Sequence, residues 1–214
     1  IGVRLVGSEM CIRDRPLREG GYDSFLALMR INIEQSRKEE GNISFTLFGK
    51  DDSYTVYLVE RYNSEEAWNN HEESVYARST EGIAPAATMN MLHETTLNEI
   101  AEIPAEATKD VAAEENTQNI IVWFTTKPDT RTAFIEAMSK AILKARNAEG
   151  NLGYNIYQNA ENANEFIVIE RWKNPEVHQT HLQNDYSLQL NKDLEGLLTE
   201  DPKFKREVLK NISE

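Results

Sequence analysis

The sequence predicts an α+β protein made of two copies of one unit, on three observations. Residues Phe25 to Phe48 (FLALMRINIEQSRKEEGNISFTLF) lie over Phe134 to Tyr157 (FIEAMSKAILKARNAEGNLGYNIY) at an offset of 109. Val59 to His71 (VERYNSEEAWNNH) lie over Ile169 to His181 (IERWKNPEVHQTH) at an offset of 110. The slip of one residue falls in polar, turn-forming sequence, where length changes are tolerated. Between the copies runs AEIPAEATKDVAAEENTQ, polar, acidic and without period, which reads as a linker. Register kept through the elements and lost only in a turn marks an internal duplication.

Each copy reads as strand, helix, strand, strand, helix, strand. In the second, Asn119 to Thr126 (NIIVWFTT) is β-rich and stops at Lys127-Pro128-Asp129. Phe134, Met138, Ala141, Ile142 and Ala145 follow at the 3–4 spacing of a helix. Gly150 ends it, as a residue free to turn left-handed. Leu152, Tyr154 and Ile156 alternate on one face of a strand, and FIVIERW returns after a hairpin. Asn174 to Leu198 is helical, with Pro175 fitting the first turn, and Phe204 to Ile212 supplies a closing strand. In the first copy the helical stripe is Phe25, Leu28, Met29 and Ile33. Its strands are NISFTLF and YTVYLVERY, its second helix starts near Ser64, and MNMLHETTLNEI closes it.

Projected back by 109 residues, the strand NIIVWFTT falls on Met10 to Leu17, MCIRDRPL. Arg13, Asp14, Arg15 and Pro16 are poor residues for a central strand. The run Leu5 to Arg15 (LVGSEMCIRDR) resembles a translated sequencing-library adapter, and such segments are set aside from fold reasoning. The expected organisation is a non-native segment at 1–15, a first domain at 16–100 without its own first strand, a linker at 101–118 and a second domain at 119–214.

The formal charge is −13, and no run of Lys and Arg offers the counterion release that nucleic-acid binding needs. No stretch approaches the roughly 20 apolar residues of a membrane helix. The single cysteine, Cys11, lies in the adapter-like run, which leaves no cysteine for disulfides, zinc thiolates or nucleophilic catalysis.

With EEGNISF, AEGNLGY, VERY and IERW in place, and His following nine residues after each Arg-aromatic strand end, the chain resembles the antibiotic-biosynthesis-monooxygenase family, which includes quinol monooxygenases. The resemblance implies a ferredoxin-like unit that normally pairs into a dimeric α/β barrel. Two units in one chain then imply an intramolecular pseudo-dimer, with a further homo-oligomer compatible with it. The expected location is cytoplasmic, although composition does not decide the compartment. It also implies a cofactor-independent monooxygenase acting with dioxygen on a quinol or other small phenolic or polycyclic aromatic compound. Neither cofactor nor metal is implied, because a deprotonated hydroquinone can itself reduce dioxygen. What the protein supplies is an apolar pocket and a base or hydrogen-bond partner for the phenol.

The repeated polar and aromatic positions are the candidates. His181 and His71 occupy equivalent sites on the second helices and could accept a phenolic proton. Tyr186 and Tyr76 follow five residues later and could hydrogen-bond a quinol oxygen. Trp172 and Tyr62 end the third strands, and with Tyr154 they are the aromatic surfaces for a substrate ring. Paired packing histidines would leave the same pattern, so a non-catalytic small-molecule-binding or dimerisation module stands as the alternative. His178 and His181 share a helix face, yet Trp68 replaces His178 in the first copy and no acidic motif adjoins the pair, which argues against a metal. Haem-degrading relatives use an Asn on the first strand with Trp and His on the second helix. Val122 or Trp123, His181 and Asn191 (Glu81 in the first copy) stand there instead, against that activity.

Overall fold

The computed structural model describes residues 9–51, 53–89, 93–109, 117–201 and 205–213. Residues 1–8 of the expected non-native segment and 110–116 of the expected linker lie outside the described residues. The chain divides into two units, one running to Asn98 and including the C-terminal residues from Asn211, the other Glu99–Lys210.

The first unit contains β1 (Glu9–Pro16), α1 (Glu19–Ser36), β2 (Asn42–Gly49), β3 (Thr55–Tyr62), α2 (Glu65–Glu72), α3 (Val75–Ala87) and β4 (His93–Glu99). Its antiparallel sheet runs β4-β1-β3-β2. The second contains β5 (Gln118–Thr125), α4 (Arg131–Arg146), β6 (Asn151–Asn159), β7 (Glu165–Trp172), α5 (Pro175–Gln183), α6 (Asp185–Asp193) and β8 (Arg206–Asn211), in the order β8-β5-β7-β6. Both are ferredoxin-like α+β units. Phe25, Met29 and Ile33 of α1 pack on Phe45, Leu47, Val56 and Leu58, while Phe134, Met138 and Ile142 of α4 pack on Ile156, Phe166 and Val168. Even the irregularities are duplicated, since the ladders of β2 and β6 slip at Asn42/Ser44 and Asn151/Gly153.

The expectation that the adapter-like stretch could not serve as a central strand is corrected. Strand β1 is bonded on both sides, with Arg13 opposite Leu58 of β3 and Glu94 of β4. Three buried apolar residues, Met10, Cys11 and Ile12, anchor it. Its two buried arginines meet carboxylates, Arg13 those of Glu60, Glu72 and Glu94 and Arg15 that of Glu81. Pro16 sits at the strand's end, past the last residue paired with β4, where its missing N–H costs no ladder bond. The origin of a segment and the position it takes are separate matters; the first-strand position of this unit is filled.

Part of the expected linker is built into the second unit. Ile100 and Ile103 are buried in its core. The Glu106 amide donates to Asn155 Oδ1 at 3.0 Å, Asn155 Nδ2 donates to the Glu106 carbonyl at 2.8 Å, and the Lys109 amide donates to the Leu152 carbonyl at 2.7 Å. Polar composition hid two isoleucines at a spacing of three.

The second helix of each unit is broken in two. Asn184 takes an extended conformation between α5 and α6, and Ser74 does so between α2 and α3, where its hydroxyl accepts the Ala77 amide. Asn and Ser bond their own backbone and so start helices readily. Residues five apart on a continuous helix point about 140° away from each other. The break is what lets His181 reach Tyr186.

Gly41 and Gly150 of the two EGN motifs have φ of 91° and 72°. A Cβ at Gly41 would lie 2.6 Å from Ala67 Cβ, and one at Gly150 would lie 2.7 Å from Val177 Cγ1. Only glycine lets the chain leave the first helix against the first turn of the helix that carries the histidine.

Candidate functional site

In the second unit the site grows from the end of β7. Glu170 and Trp172 are two residues apart, so both side chains leave the strand on one face, and Tyr154 of β6 stands opposite Glu170. Helix α5 begins where Asn174 Oδ1 accepts the Val177 amide at 2.8 Å, and its i, i+3 pair His178 and His181 lies against these residues. Trp172 Nε1 donates to Glu170 Oε2 at 3.0 Å. The Nε2 atoms of His178 and His181 each lie 3.9 Å from the same carboxylate oxygen. The imidazole of His181 stacks on Trp172 with centroids 4.2 Å apart and meets Tyr154 edge-on at 5.9 Å.

The outer side of His181 meets a phenol and a hydroxyl. Its Nδ1 is 2.8 Å from the Tyr186 hydroxyl, which accepts Asn184 Nδ2 at 3.2 Å. With an N–H already arriving from Asn184, the Tyr186 O–H is placed to donate to Nδ1, and Ser187 Oγ lies 3.5 Å from the same nitrogen. In the tautomer that accepts there, the imidazole proton sits on Nε2 and faces Glu170. Tyr186 is half-buried, whereas His181 is 6% exposed and Glu170 is buried. Burial pushes the pKa of His181 down to about 4, with the neighbouring His178 in support. His178 is likewise pushed to about 4, by burial and then by the Arg206 charge. Burial raises Glu170 above the usual carboxylate range, against the pull of the Trp172 hydrogen bond and the Arg206 charge. The phenol of Tyr154, buried against Glu170, is held well above its ordinary pKa.

The equivalent place in the first unit is built differently. His71 is 1% exposed and stacks on Tyr62 at 5.3 Å, with Phe45 at 5.2 Å. Its Nδ1, however, faces the Glu39 carboxylate, 3.2 Å from each oxygen, and Ser36 Oγ at 3.2 Å. Tyr76 and Tyr62 both donate to Glu39 rather than to the histidine. A carboxylate can only accept, so Nδ1 carries the proton and Nε2 presents its lone pair toward Glu60 Oε2, 3.6 Å away. Burial lowers the His71 pKa and Glu39 opposes that shift. Burial lifts Glu60 to about 7, against the Arg13 charge beside it.

All seven residues expected from the sequence therefore fall at these two places. His181, Tyr186, Trp172 and Tyr154 come together in one unit, and His71, Tyr76 and Tyr62 in the other. The missed residues are Glu170 and Glu60, although they stand inside IERW and VERY. The available signal was a carboxylate at the inward phase of an otherwise apolar strand, two residues before the ring that ends it. Glu39, which decides the first site's hydrogen bonding, has Ala148 at its repeat position and gave no repeat signal. The acid that seemed absent from the His178/His181 pair comes from β7, not from sequence neighbours. One tether recurs: Arg37 Nε and Arg146 Nε donate to the carbonyls of Phe45 and Tyr154, each at 3.0 Å, fixing the ring that abuts each histidine.

The profile of antibiotic biosynthesis monooxygenases matches residues 13–81 and 118–193, more than half of the chain. A Fusobacterium nucleatum protein provisionally described as a monooxygenase superposes with a TM-score of 0.88 at 17% identity, covering 97% of this chain and 93% of its own. One from Lactobacillus acidophilus, described in the same way, gives 0.81 at 17% identity over 96% and 93%. An anthrone oxidase-like protein gives 0.68 at 10% identity over 99% and 94%. No curated protein matches the chain. At these identities the superpositions speak to the fold. Among the described residues, no helix is long and apolar enough to cross a membrane.

Proposed function

Because the chain belongs to the antibiotic biosynthesis monooxygenase family, we propose that its second unit is a cofactor-independent monooxygenase for a neutral quinol or related small phenol. For a simple quinol the balance is quinol plus dioxygen to hydroxyquinone plus water: one oxygen atom enters the ring, the other leaves reduced, and the substrate supplies the electrons. Such a reaction starts when the phenol is deprotonated. The observation that carries the proposal is the line Tyr186 hydroxyl, His181 Nδ1, His181 Nε2, Glu170.

A phenol bound at Tyr186 passes its proton to the tyrosine oxygen while the tyrosine proton moves to Nδ1 and the Nε2 proton moves toward Glu170. The last gap, 3.9 Å, needs a shift of about an ångström to become a hydrogen bond. A pKa of about 4 makes the imidazolium roughly 4 kcal/mol uphill at pH 7, so His181 conducts a proton rather than storing it. Glu170, raised by burial, is the better resting place. Trp172 and Tyr154 hold the imidazole plane, and Trp172 fixes the carboxylate oxygen that receives the proton.

Oxygen uptake with menadiol-type quinols tests this, with Tyr186→Phe as the diagnostic variant. Positioned proton transfer contributes about 10²–10⁴-fold, and loss of the first relay member should cost at least the lower end. Uptake unaltered in Tyr186→Phe removes the relay. The alternative, a non-catalytic binding module, draws support from the close packing of His181 between Trp172 and Tyr154; quinol binding without oxygen uptake in the native chain favours it.

A further inference from the structure

We propose that the first unit contains a divalent-cation site made of Glu60, His71 and Glu72, which the guanidinium of Arg13 fills in this chain. One oxygen or nitrogen from each of the three residues lies within 4.8 Å of the others, so a single ion could touch all three. They converge from two elements: Glu60 from β3, His71 and Glu72 from α2. Arg13 reaches in from β1, donating to Glu60, to Glu72 at 2.8 Å and, through Nε, to Glu94 at 3.0 Å. Three carboxylates converging on one guanidinium are a place built to hold positive charge.

Two further features point to a metal rather than to an arginine alone. Glu60 Oε2 is buried and has no hydrogen-bond partner among the described residues, although it lies 3.6 Å from His71 Nε2. The arginine thus leaves one ligand oxygen unused. His71 is also in a metal-ready state: Nδ1–H is held by Glu39, itself fixed by Tyr62 and Tyr76, while Nε2 offers its lone pair inward. A carboxylate behind the imidazole that orients it and raises its basicity is the usual support of a metal-bound histidine. One imidazole and two carboxylates suit Zn²⁺, Mn²⁺ or Fe²⁺. Among the described residues the second unit does not repeat this set: Leu182 stands at the position of Glu72, Val122 at that of Arg13, and the Arg206 charge lies beside Glu170.

The full chain carrying Arg13→Val, the residue of the second unit, is titrated with Zn²⁺ and separately with Mn²⁺, by calorimetry and by thermal melting, beside the unaltered chain and Arg13→Ala. Both variants should bind one equivalent at least 100-fold more tightly than the unaltered chain, with a metal-dependent rise in melting temperature, and adding His71→Gln should remove the gain. Variants that bind no more tightly than the unaltered chain overturn the site, as does a gain that survives His71→Gln. If Arg13→Val is unfolded alone, Zn²⁺ should restore a cooperative transition; a chain still unfolded with the ion present counts against the site equally.

Discussion

His71 and His181 stand at the same position of two copies of one unit, both buried, both stacked on the aromatic residue that ends the third strand, and their Nδ1 atoms meet different groups, a carboxylate in one and a phenol in the other. The difference comes from one position, the first residue of EEGNISF and AEGNLGY. Where the first unit has Glu39, the second has Ala148. Glu39 takes the hydroxyl protons of Tyr62 and Tyr76 and turns His71 Nδ1 into a donor. Without it, the hydroxyl of Tyr186 is free to donate to His181 Nδ1, and Nε2–H faces the buried glutamate. A duplicated fold thus carries two hydrogen-bond arrangements. One copy lines up a hydroxyl, an imidazole and a buried acid, and the other turns its imidazole toward a ring of acids. Fold and motif alone would have assigned the two halves the same role.

The sharpest way to break that comparison is to remove each imidazole in turn. His181→Ala should lower quinol-dependent oxygen uptake by about 10²–10⁴-fold, as expected for loss of a positioned proton-transfer group. His71→Ala should leave uptake within about twofold of the native rate, since Tyr76 does not bond to it. Equal losses in both variants would mean that the tautomers do not separate the halves.

Acid should separate them next. His178 and His181 titrate at about 4 when folded and near 6.5 when unfolded. Between those values the unfolded chain binds more protons, so stability falls as pH drops from 6.5 toward 4 and levels off below. From pH 7 to pH 5 each histidine contributes a loss of about 2 kcal/mol. Glu170, raised by burial, acts in the opposite sense, gaining stability as pH falls toward its unfolded value, and offsets part of it. The first unit has Trp68 in place of His178, and its Glu60, at about 7 when folded, is stabilising below that pH. Urea titrations at pH 7 and 5, read by hydrogen exchange in each unit, should find the second unit the more acid-sensitive. Equal sensitivity would count against the burial of the histidine pair.

The repeat made most of the fold legible: the succession of elements, the helix faces, the glycine of each EGN motif and the equivalence of the two histidine positions follow from it, while the ferredoxin-like arrangement came from the family resemblance. What the repeat hid was whatever the copies do not share. Glu39 and Arg13 have Ala148 and Val122 as counterparts, so aligning the copies carried no signal for either. Glu60 and Glu170 are shared but were read as part of a motif rather than as charges inside an apolar strand. Strand β1 was misjudged for a physical reason. Its arginines look unburiable one residue at a time, and the four glutamates that compensate them come from β3, α2, α3 and β4, distant in sequence. Burial of a charge is decided by its partners.

The same strand gives the smallest effect and the most local test. Arg15 stands where the second unit has Phe124, and both face the first residue of the helical stripe. Phe124 packs on Phe134 with centroids 5.4 Å apart, while the Arg15 guanidinium lies 5.6 Å from the ring of Phe25. A cation over a ring returns about 0.5–2 kcal/mol. Against that, Arg15 is fully buried, and its Nε and Nη1 have no partner among the described residues. An unsatisfied buried donor costs about 1–3 kcal/mol. Its ion-pair partner Glu81 is 38% exposed and can be hydrated once released. The balance therefore favours the ring: Arg15→Phe should stabilise the first unit by about 1–2 kcal/mol and raise its melting temperature by several degrees. A lower melting temperature would mean that the Glu81 pair outweighs the stranded donors, and that the two cores are less interchangeable than their shared topology suggests.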